Sequence, residues 1–316
     1  MRAVSLFGSE VKFQQVVPEP TAGNGEVLVD VLLAGICETD LQLCNGYMRF
    51  SGIIGHEFVG VARSGRFMGK RVVGEINCSC QRCDWCHRGA SNHCPSRSVI
   101  GILNRDGVFA DTVAIPERNL HVVPDSVSND FAVFAEPLAA ALQIHRQVDL
   151  RKKRVAVLGD GRLGMLCAQS ARLITDEVLV VGKHPMKLER FIKLGFSTQL
   201  LGELTHQPSF DVVIDCTGSP AGLETACAIV QPLGFVILKT TVAREHSMSL
   251  APLVINEVTV VGSRCGPFAE ALSALESNAI DLDGLISHRF AIDQAVEAMQ
   301  TAASHEALKV VFDLSR

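Results

Sequence analysis

Short apolar runs separated by turn residues open the chain. Val11 to Val17 and Val27 to Leu33 are β-rich, and Pro18, Pro20, Gly23 and Gly25 punctuate the turn between them. Glu57 to Ala62, Lys70 to Val73, Val108 to Ile115 and Leu120 to Val123 repeat the pattern, with Pro124 closing the last. Such runs predict a small barrel as the first domain. From Arg154 the pattern changes. Apolar runs of strand length (Arg154 to Leu158, Glu177 to Val181, Phe210 to Asp215, Gly234 to Lys239, Val258 to Val261) alternate with helical stretches at Met165 to Leu173 and Leu223 to Val230. That alternation predicts an α/β domain around a parallel sheet. Helical segments Pro267 to Leu275 and Ile292 to Thr301 flank Leu285 to Phe290, and a closing strand, Leu308 to Leu314, is expected to return to the first domain. No internal repeat or low-complexity linker interrupts the chain.

Composition bounds the picture. With 316 residues and 47% apolar content the chain is long enough for two packed domains and too apolar to be disordered. A net charge of -5 without a basic run argues against nucleic acid or an acidic membrane surface as partner. The start, Met1 to Ser5, lacks a signal pattern and no apolar run reaches spanning length, so a cytoplasmic location is the expectation. Eleven Cys, an odd number, fit metal ligands and buried thiols better than a disulfide framework.

Two groups of residues have metal-binding chemistry. Cys37, His56 and Glu57 supply a thiolate, an imidazole and a carboxylate, a set that suits tetrahedral Zn²⁺ with one open position. A buried Cys beside a core His is the blander account. Gly55 permits a tight turn before the His-Glu pair, and Thr39 brings a hydroxyl near whatever oxygen the metal binds. Cys80, Cys83, Cys86 and Cys94 have the spacing of a closed, structural zinc site. Cys78 is a surplus thiol that competes with Cys80 for the role, and His87 and His93 are expected at the surface.

A third group concerns a dinucleotide. The strand at Arg154 to Leu158 runs into Gly159-Asp160-Gly161-Arg162-Leu163-Gly164 and then a helix. Gly159 permits the turn, Gly161 the approach of a pyrophosphate and Gly164 close helix–strand packing, with Arg162 and Leu163 opening a helix whose N-terminus faces phosphates. The next strand carries no terminal acid for a ribose 2′-hydroxyl. It ends Gly182-Lys183-His184-Pro185-Met186-Lys187, where cationic groups favour the 2′-phosphate of NADP over NAD; the alternative is a solvated charged turn. At the carboxyl ends of later strands, Thr217, Gly218, Lys239, Thr240 and Ser263 to Cys265, including Arg264, are candidates for the nicotinamide half.

Taken together, Gly35-Ile36-Cys37-x-Thr39-Asp40, Gly55-His56-Glu57, the Cys80/83/86/94 lobe, Asp106-Gly107-x-Phe109-Ala110, Glu136-Pro137-Leu138, Gly159 to Gly164 and Asp215-Cys216-Thr217-Gly218 closely resemble the zinc-containing medium-chain alcohol and polyol dehydrogenases. The resemblance, nearest to threonine and sorbitol dehydrogenases, covers nearly the whole chain. It implies a Rossmann doubly wound parallel sheet, residues 137–265, and a GroES-like β-barrel catalytic domain made of residues 1–136 and 266–316, with the structural zinc lobe at 78–96. It implies a catalytic zinc on Cys37, His56 and a carboxylate from Glu57 or Glu136, Thr39 relaying a proton, and a small alcohol or carbonyl as substrate. A homodimer or homotetramer follows from the same likeness. The expected reaction interconverts an alcohol or polyol with its aldehyde or ketone, the metal acting as Lewis acid while hydride passes to or from NAD(P). A non-catalytic dinucleotide sensor, or a zinc-independent quinone or enoyl reductase of the same fold, is the rival reading. Three departures stand out: Gln42 where relatives carry a proton-shuttling His, a shortened hairpin between Val61 and Lys70, and a pocket segment, Leu43 to Phe50, that names no substrate.

Overall fold

The computed structural model describes residues 1–240 and 247–315. Residues 241–246, inside the expected 137–265 domain, and Arg316, the end of the expected 266–316 segment, lie outside the described residues.

Strands β1 (Ala3–Phe7) and β2 (Glu10–Gln14) form a hairpin, followed by the long β3 (Glu26–Gly35) and helix α1 (Glu38–Cys44). Then come β4 (Gly52–Ile53), β5 (Glu57–Ala62), β6 (Arg71–Gly74), β7 (Asn77–Cys78), α2 (Asp84–His87), β8 (Ser98–Val99), β9 (Thr112–Pro116), β10 (Leu120–Val122) and α3 (Asn129–Ala132). Helix α4 (Ala135–Gln147) leads into an alternating region: β11 (Val155–Leu158), α5 (Arg162–Arg172), β12 (Val178–Gly182), α6 (Pro185–Lys193), β13 (Ser197–Leu200), β14 (Phe210–Asp215), α7 (Ala221–Ile229), β15 (Val230–Leu238), α8 (Ala251–Ile255) and β16 (Thr259–Gly262). The chain closes with α9 (Phe268–Glu276), β17 (Ile286–Ala291), α10 (Ala295–Ala302) and β18 (Lys309–Asp313).

Two compact units result: 1–136 with 268–278 and 282–316, and 137–267 with 279–281. In the first, a sheet ordered β10-β6-β5-β3-β18-β17, with β9 also on β3, wraps a core in which Phe109 and Phe312 meet edge to face at 4.9 Å. The pairing of β18 with β3 is antiparallel, so the last strand of the chain joins the sheet built by strands between residues 26 and 122. In the second, six parallel strands in the order β13-β12-β11-β14-β15-β16 carry helices between them. Ala156, Leu158, Val213, Ile229 and Val236 are fully or almost fully buried there. Parallel strands covered on both faces read as continuous apolar runs, which is how Val155–Leu158 and Phe210–Asp215 appear in the sequence.

Besides the two-residue strands β4, β7 and β8, three strands of the described residues were not expected. Residues 3–6 of β1 are all buried, so no alternation marks it, whereas β13 and β17 are polar edge strands whose side chains are largely solvated. The expected strand at Val108 to Ile115 begins only at Thr112, because the backbone N–H groups of Gly107, Val108 and Phe109 donate instead to Ile53, Gly55 and Ile54.

Candidate metal centre and dinucleotide site

Cys37 caps the N-terminus of α1 with extended backbone, φ -101° and ψ 160°. Its N–H donates to Asp40 Oδ2 at 2.8 Å, and Thr39 Oγ1 lies 3.8 Å from its sulfur. The second arm comes through Gly55, whose φ of +92° favours glycine and where an added Cβ would sit 2.2 Å from the Phe109 ring. Glu57 then starts β5 directly opposite Gly35 of β3. Adjacent strands therefore bring Cys37, His56 and Glu57 to one point, with a ligand atom from each within 4.8 Å of the others.

Asp40, fully buried, backs the imidazole: its Oδ1 faces His56 Nδ1 at 3.4 Å, and neither atom has a well-formed hydrogen bond. Burial disfavours the imidazolium, but the Asp40 carboxylate and the Cys37 sulfur outweigh it and hold the imidazole pKa well above its ordinary value. The pocket is built to receive positive charge. A ring with Nδ1 against a carboxylate leaves its other nitrogen for a metal, and the thiolate, imidazole and carboxylate fit zinc. On the far side Lys309 of β18, fully buried, bonds Glu57 Oε2, donates to Ile36 O at 3.3 Å and lies 5.6 Å from the Phe134 ring centroid. An ammonium out of water needs such a partner.

Glu136, in the first turn of α4, belongs to neither metal-ligand group found among the described residues. Gln42 donates to Glu38 at 2.9 Å on α1. The pocket segment Leu43 to Phe50 contains consecutive positive φ angles at Met48 (57°) and Arg49 (49°).

Cys80, Cys83, Cys86 and Cys94 form the second group, with Cys83 and Cys86 sulfurs 3.5 Å apart and the Cys80 N–H donating to Cys94 Sγ at 3.4 Å. The backbone N–H of Arg82, seconded by the neighbouring thiols, pulls the Cys80 thiol down to about 6. Cys78 is buried outside the group, 3.7 Å from Asn119 Nδ2, while His87 and His93 are exposed. Four thiolates leave no open position, so this lobe suits a structural ion.

In the second unit a cavity beside β11, β12 and β14 is lined by Gly159, Gly182, Lys183, His184 and Thr217. Gly164 packs so closely that a Cβ would fall 2.0 Å from Gly159 O, and Gly161 is the N-cap of α5, leaving the first N–H groups of Arg162 and Leu163 at the helix mouth. Thr217 is held by Asp215, whose Oδ1 accepts from its N–H at 2.9 Å and its hydroxyl at 2.7 Å. Thr240 accepts from Gly218 N at 3.0 Å. Lys239 is engaged elsewhere, on Ala140 O at 2.6 Å and Ser263 Oγ at 3.1 Å. Arg264 contacts Cys265 Sγ at 3.6 Å, and Lys187 is half-buried in α6. Asp160 takes the N–H groups of Lys183 and His184, each at 2.7 Å, and the His184 ring at 3.0 Å. Burial alone would raise its pKa; the donors of His184 and Lys183 prevail and hold the carboxyl below its ordinary range.

Three residues of consequence were given no role from the sequence. Asp40 stood inside a quoted motif, and Asp160 between two glycines. Lys309 carried no signal at all, being a single Lys in an apolar strand.

Comparison with known proteins places the chain among dehydrogenases. Residues 23–125 match the family model of the alcohol dehydrogenase GroES-like domain, and residues 163–279 that of the zinc-binding dehydrogenases. The chain is 26% identical to L-threonine 3-dehydrogenase of Salmonella arizonae, covering 98% of this chain and 99% of the relative. It is 28% identical to sorbitol dehydrogenase of Halalkalibacterium halodurans over 94% of each. Among solved structures, an alcohol dehydrogenase from Thermus sp. ATN1 superposes with a TM-score of 0.90 at 27% identity, covering 99% of both chains. A zinc-binding dehydrogenase from Sinorhizobium meliloti, solved with NADP, gives 0.88 at 27% identity, covering 99% of this chain and 98% of the other.

Proposed function

The chain belongs to the zinc-containing medium-chain alcohol and polyol dehydrogenases, and on that premise we propose that Cys37, His56 and Glu57 hold the zinc at which its substrate reacts. The reaction class is that of the family: an alcohol or polyol is interconverted with its aldehyde or ketone by hydride transfer to or from a nicotinamide dinucleotide. The observation that carries the assignment is the convergence of three unlike donors, a half-buried Cys37 with buried His56 and Glu57, at one point, backed by an unsatisfied Asp40–His56 contact.

When bound, zinc supplies Lewis acidity, lowering the pKa of an alcohol or polarising a carbonyl. The chain's own residues do the rest. Asp40 fixes the tautomer and angle of His56. Thr39, beside Cys37, receives the alcohol proton or returns it. Gln42, turned to Glu38, offers no imidazole to pass that proton on, so it leaves through water. Lys309 holds one oxygen of Glu57 and so aims that carboxylate. Glu136 is the alternative carboxylate ligand, and the geometry supports Glu57. A second, structural zinc on Cys80, Cys83, Cys86 and Cys94 completes two per chain.

For the dinucleotide, opposite charges compete after β12. Lys183 and Lys187 support NADP, the preference expected from the sequence; Asp160 supports NAD. The test of the function is an alcohol and polyol panel with both cofactors, before and after removal of zinc by a chelator. Turnover lost on chelation and restored by Zn²⁺ supports the proposal, whereas turnover that survives metal removal refutes it.

A further inference from the structure

We infer that Asp160, in the middle of the glycine-rich loop, is the residue that selects the dinucleotide, replacing the missing acid at the end of β12 and disfavouring a 2′-phosphate. The inference rests on the dinucleotide reading of this cavity and names the discriminating group within it.

The observation is one of space. In this class of sheet the last residue of the second strand decides between the two cofactors: a carboxylate there binds the ribose 2′-hydroxyl, and its absence with cationic neighbours admits the 2′-phosphate. That residue is Gly182. A Cβ built on Gly182 would lie 2.6 Å from Asp160 Oδ2 and 2.7 Å from Asp160 Cβ. The side chain that Gly182 lacks has thus been supplied from the neighbouring strand's loop, and the two positions cannot both carry one. Asp160, Gly182, Lys183 and His184 all line the same cavity.

The second observation concerns donors. A 2′-phosphate at this corner would be bound by the N–H groups that open the loop after β12, together with its cationic side chains. Here the N–H groups of Lys183 and His184 both end on Asp160 Oδ2 at 2.7 Å, and the imidazole is bonded to the same carboxylate at 3.0 Å. Two of the donors and the imidazole are spent. Among the described residues of this loop, Lys183 and Lys187 remain for an incoming dianion, against a carboxylate fixed in the cavity wall. A neutral ribose hydroxyl can share that carboxylate as acceptor; a phosphate is repelled by it. The cationic run that reads as an NADP loop is, on this geometry, the counter-charge of Asp160, and the chain prefers NAD(H).

Binding of 5′-ADP and 2′,5′-ADP to the purified full chain, measured by titration calorimetry, tests this without any substrate. The wild type is expected to bind 5′-ADP more tightly. Asp160→Asn should move the affinity ratio toward 2′,5′-ADP by about tenfold or more, a factor equal to roughly 1.4 kcal/mol. The ratio of kcat/KM for NADPH and NADH should move likewise. A merely structural role would weaken both probes equally and leave the ratio unchanged, which would overturn the inference. The double variant Asp160→Gly with Gly182→Asp returns the acid to the strand end and should keep the wild-type preference; loss of discrimination there would also count against it. A chain that binds both probes but favours 2′,5′-ADP refutes this inference alone, and one that binds neither refutes the dinucleotide reading with it.

Discussion

Lys309 shows how much can turn on one side chain. A fully buried ammonium held by one carboxylate and one carbonyl is stable only as a set. Lys309→Met leaves Glu57 buried without its counter-charge, and breaking such a pair costs about 3–5 kcal/mol. Thermal unfolding of the zinc-free variant should show that loss, while Lys309→Arg, which keeps the charge, should recover part of it; equal melting of Lys309→Met and wild type would show that Glu57 does not depend on Lys309. Asp40 plays the corresponding part beside His56. Asp40→Asn keeps the α1 cap's shape but removes the charge behind His56, and zinc affinity at that centre should fall about 10- to 100-fold. Competition with a chromogenic chelator reads this directly. The candidate ligands stood out in the sequence because Cys37 and the His56-Glu57 pair sit in short glycine-marked motifs whose donor chemistry is narrow. Asp40 and Lys309 were not, because a carboxylate in a helix and a lysine in a strand have too many ordinary explanations for sequence alone to choose between them.

Among the elements, the four-cysteine lobe and the glycine-rich loop stood out in the sequence for the same reason: spacing of the kind that an ion or a close backbone approach requires is met by few other sequences. The lobe has little apolar packing of its own between α2 and Cys94, with Asp84, Trp85, His87 and Arg88 exposed. Cys83→Ser should therefore remove one zinc and open the segment from β7 to β8 to proteolysis while the parallel sheet stays intact; uncut lobe in the variant would mean the thiols pack without metal. Edge strands β13 and β17 escaped because their polar, solvated faces carry neither alternation nor an apolar run. The loop after β12 was read correctly for charge and incompletely for partners, since nothing in the order of residues shows that Asp160 and Gly182 share one volume. Its acid sensitivity follows. Asp160 has a lowered pKa, so its stabilising contribution is complete above the ordinary carboxyl range near pH 4 and is lost as pH falls through the lowered value. The stability difference between wild type and Asp160→Asn should be flat from neutral pH down to that range and shrink below it.

For the molecule as a whole, the alternation of strands and helices was enough to expect a barrel and a parallel sheet, because both faces of that sheet are covered and its strands are therefore apolar throughout. Among the described residues no helix is long and apolar enough to cross a membrane. The outer strand of the parallel sheet, β16, leaves Val260 38% exposed and its free edge unpaired within the sheet. Pairing of that edge with a second copy would cover it, and the expected homodimer or homotetramer should appear in light scattering, with Val260→Lys shifting it toward monomer. On the proposed mechanism, one zinc on Cys37, His56 and Glu57 makes the chain a dehydrogenase. Zinc content and turnover measured together on wild type and Cys37→Ala test it most directly. Two zinc ions and alcohol oxidation are expected for the wild type, and one zinc, intact 5′-ADP binding and no oxidation for the variant. A variant that still oxidises the same alcohol, or that keeps both ions, would contradict it.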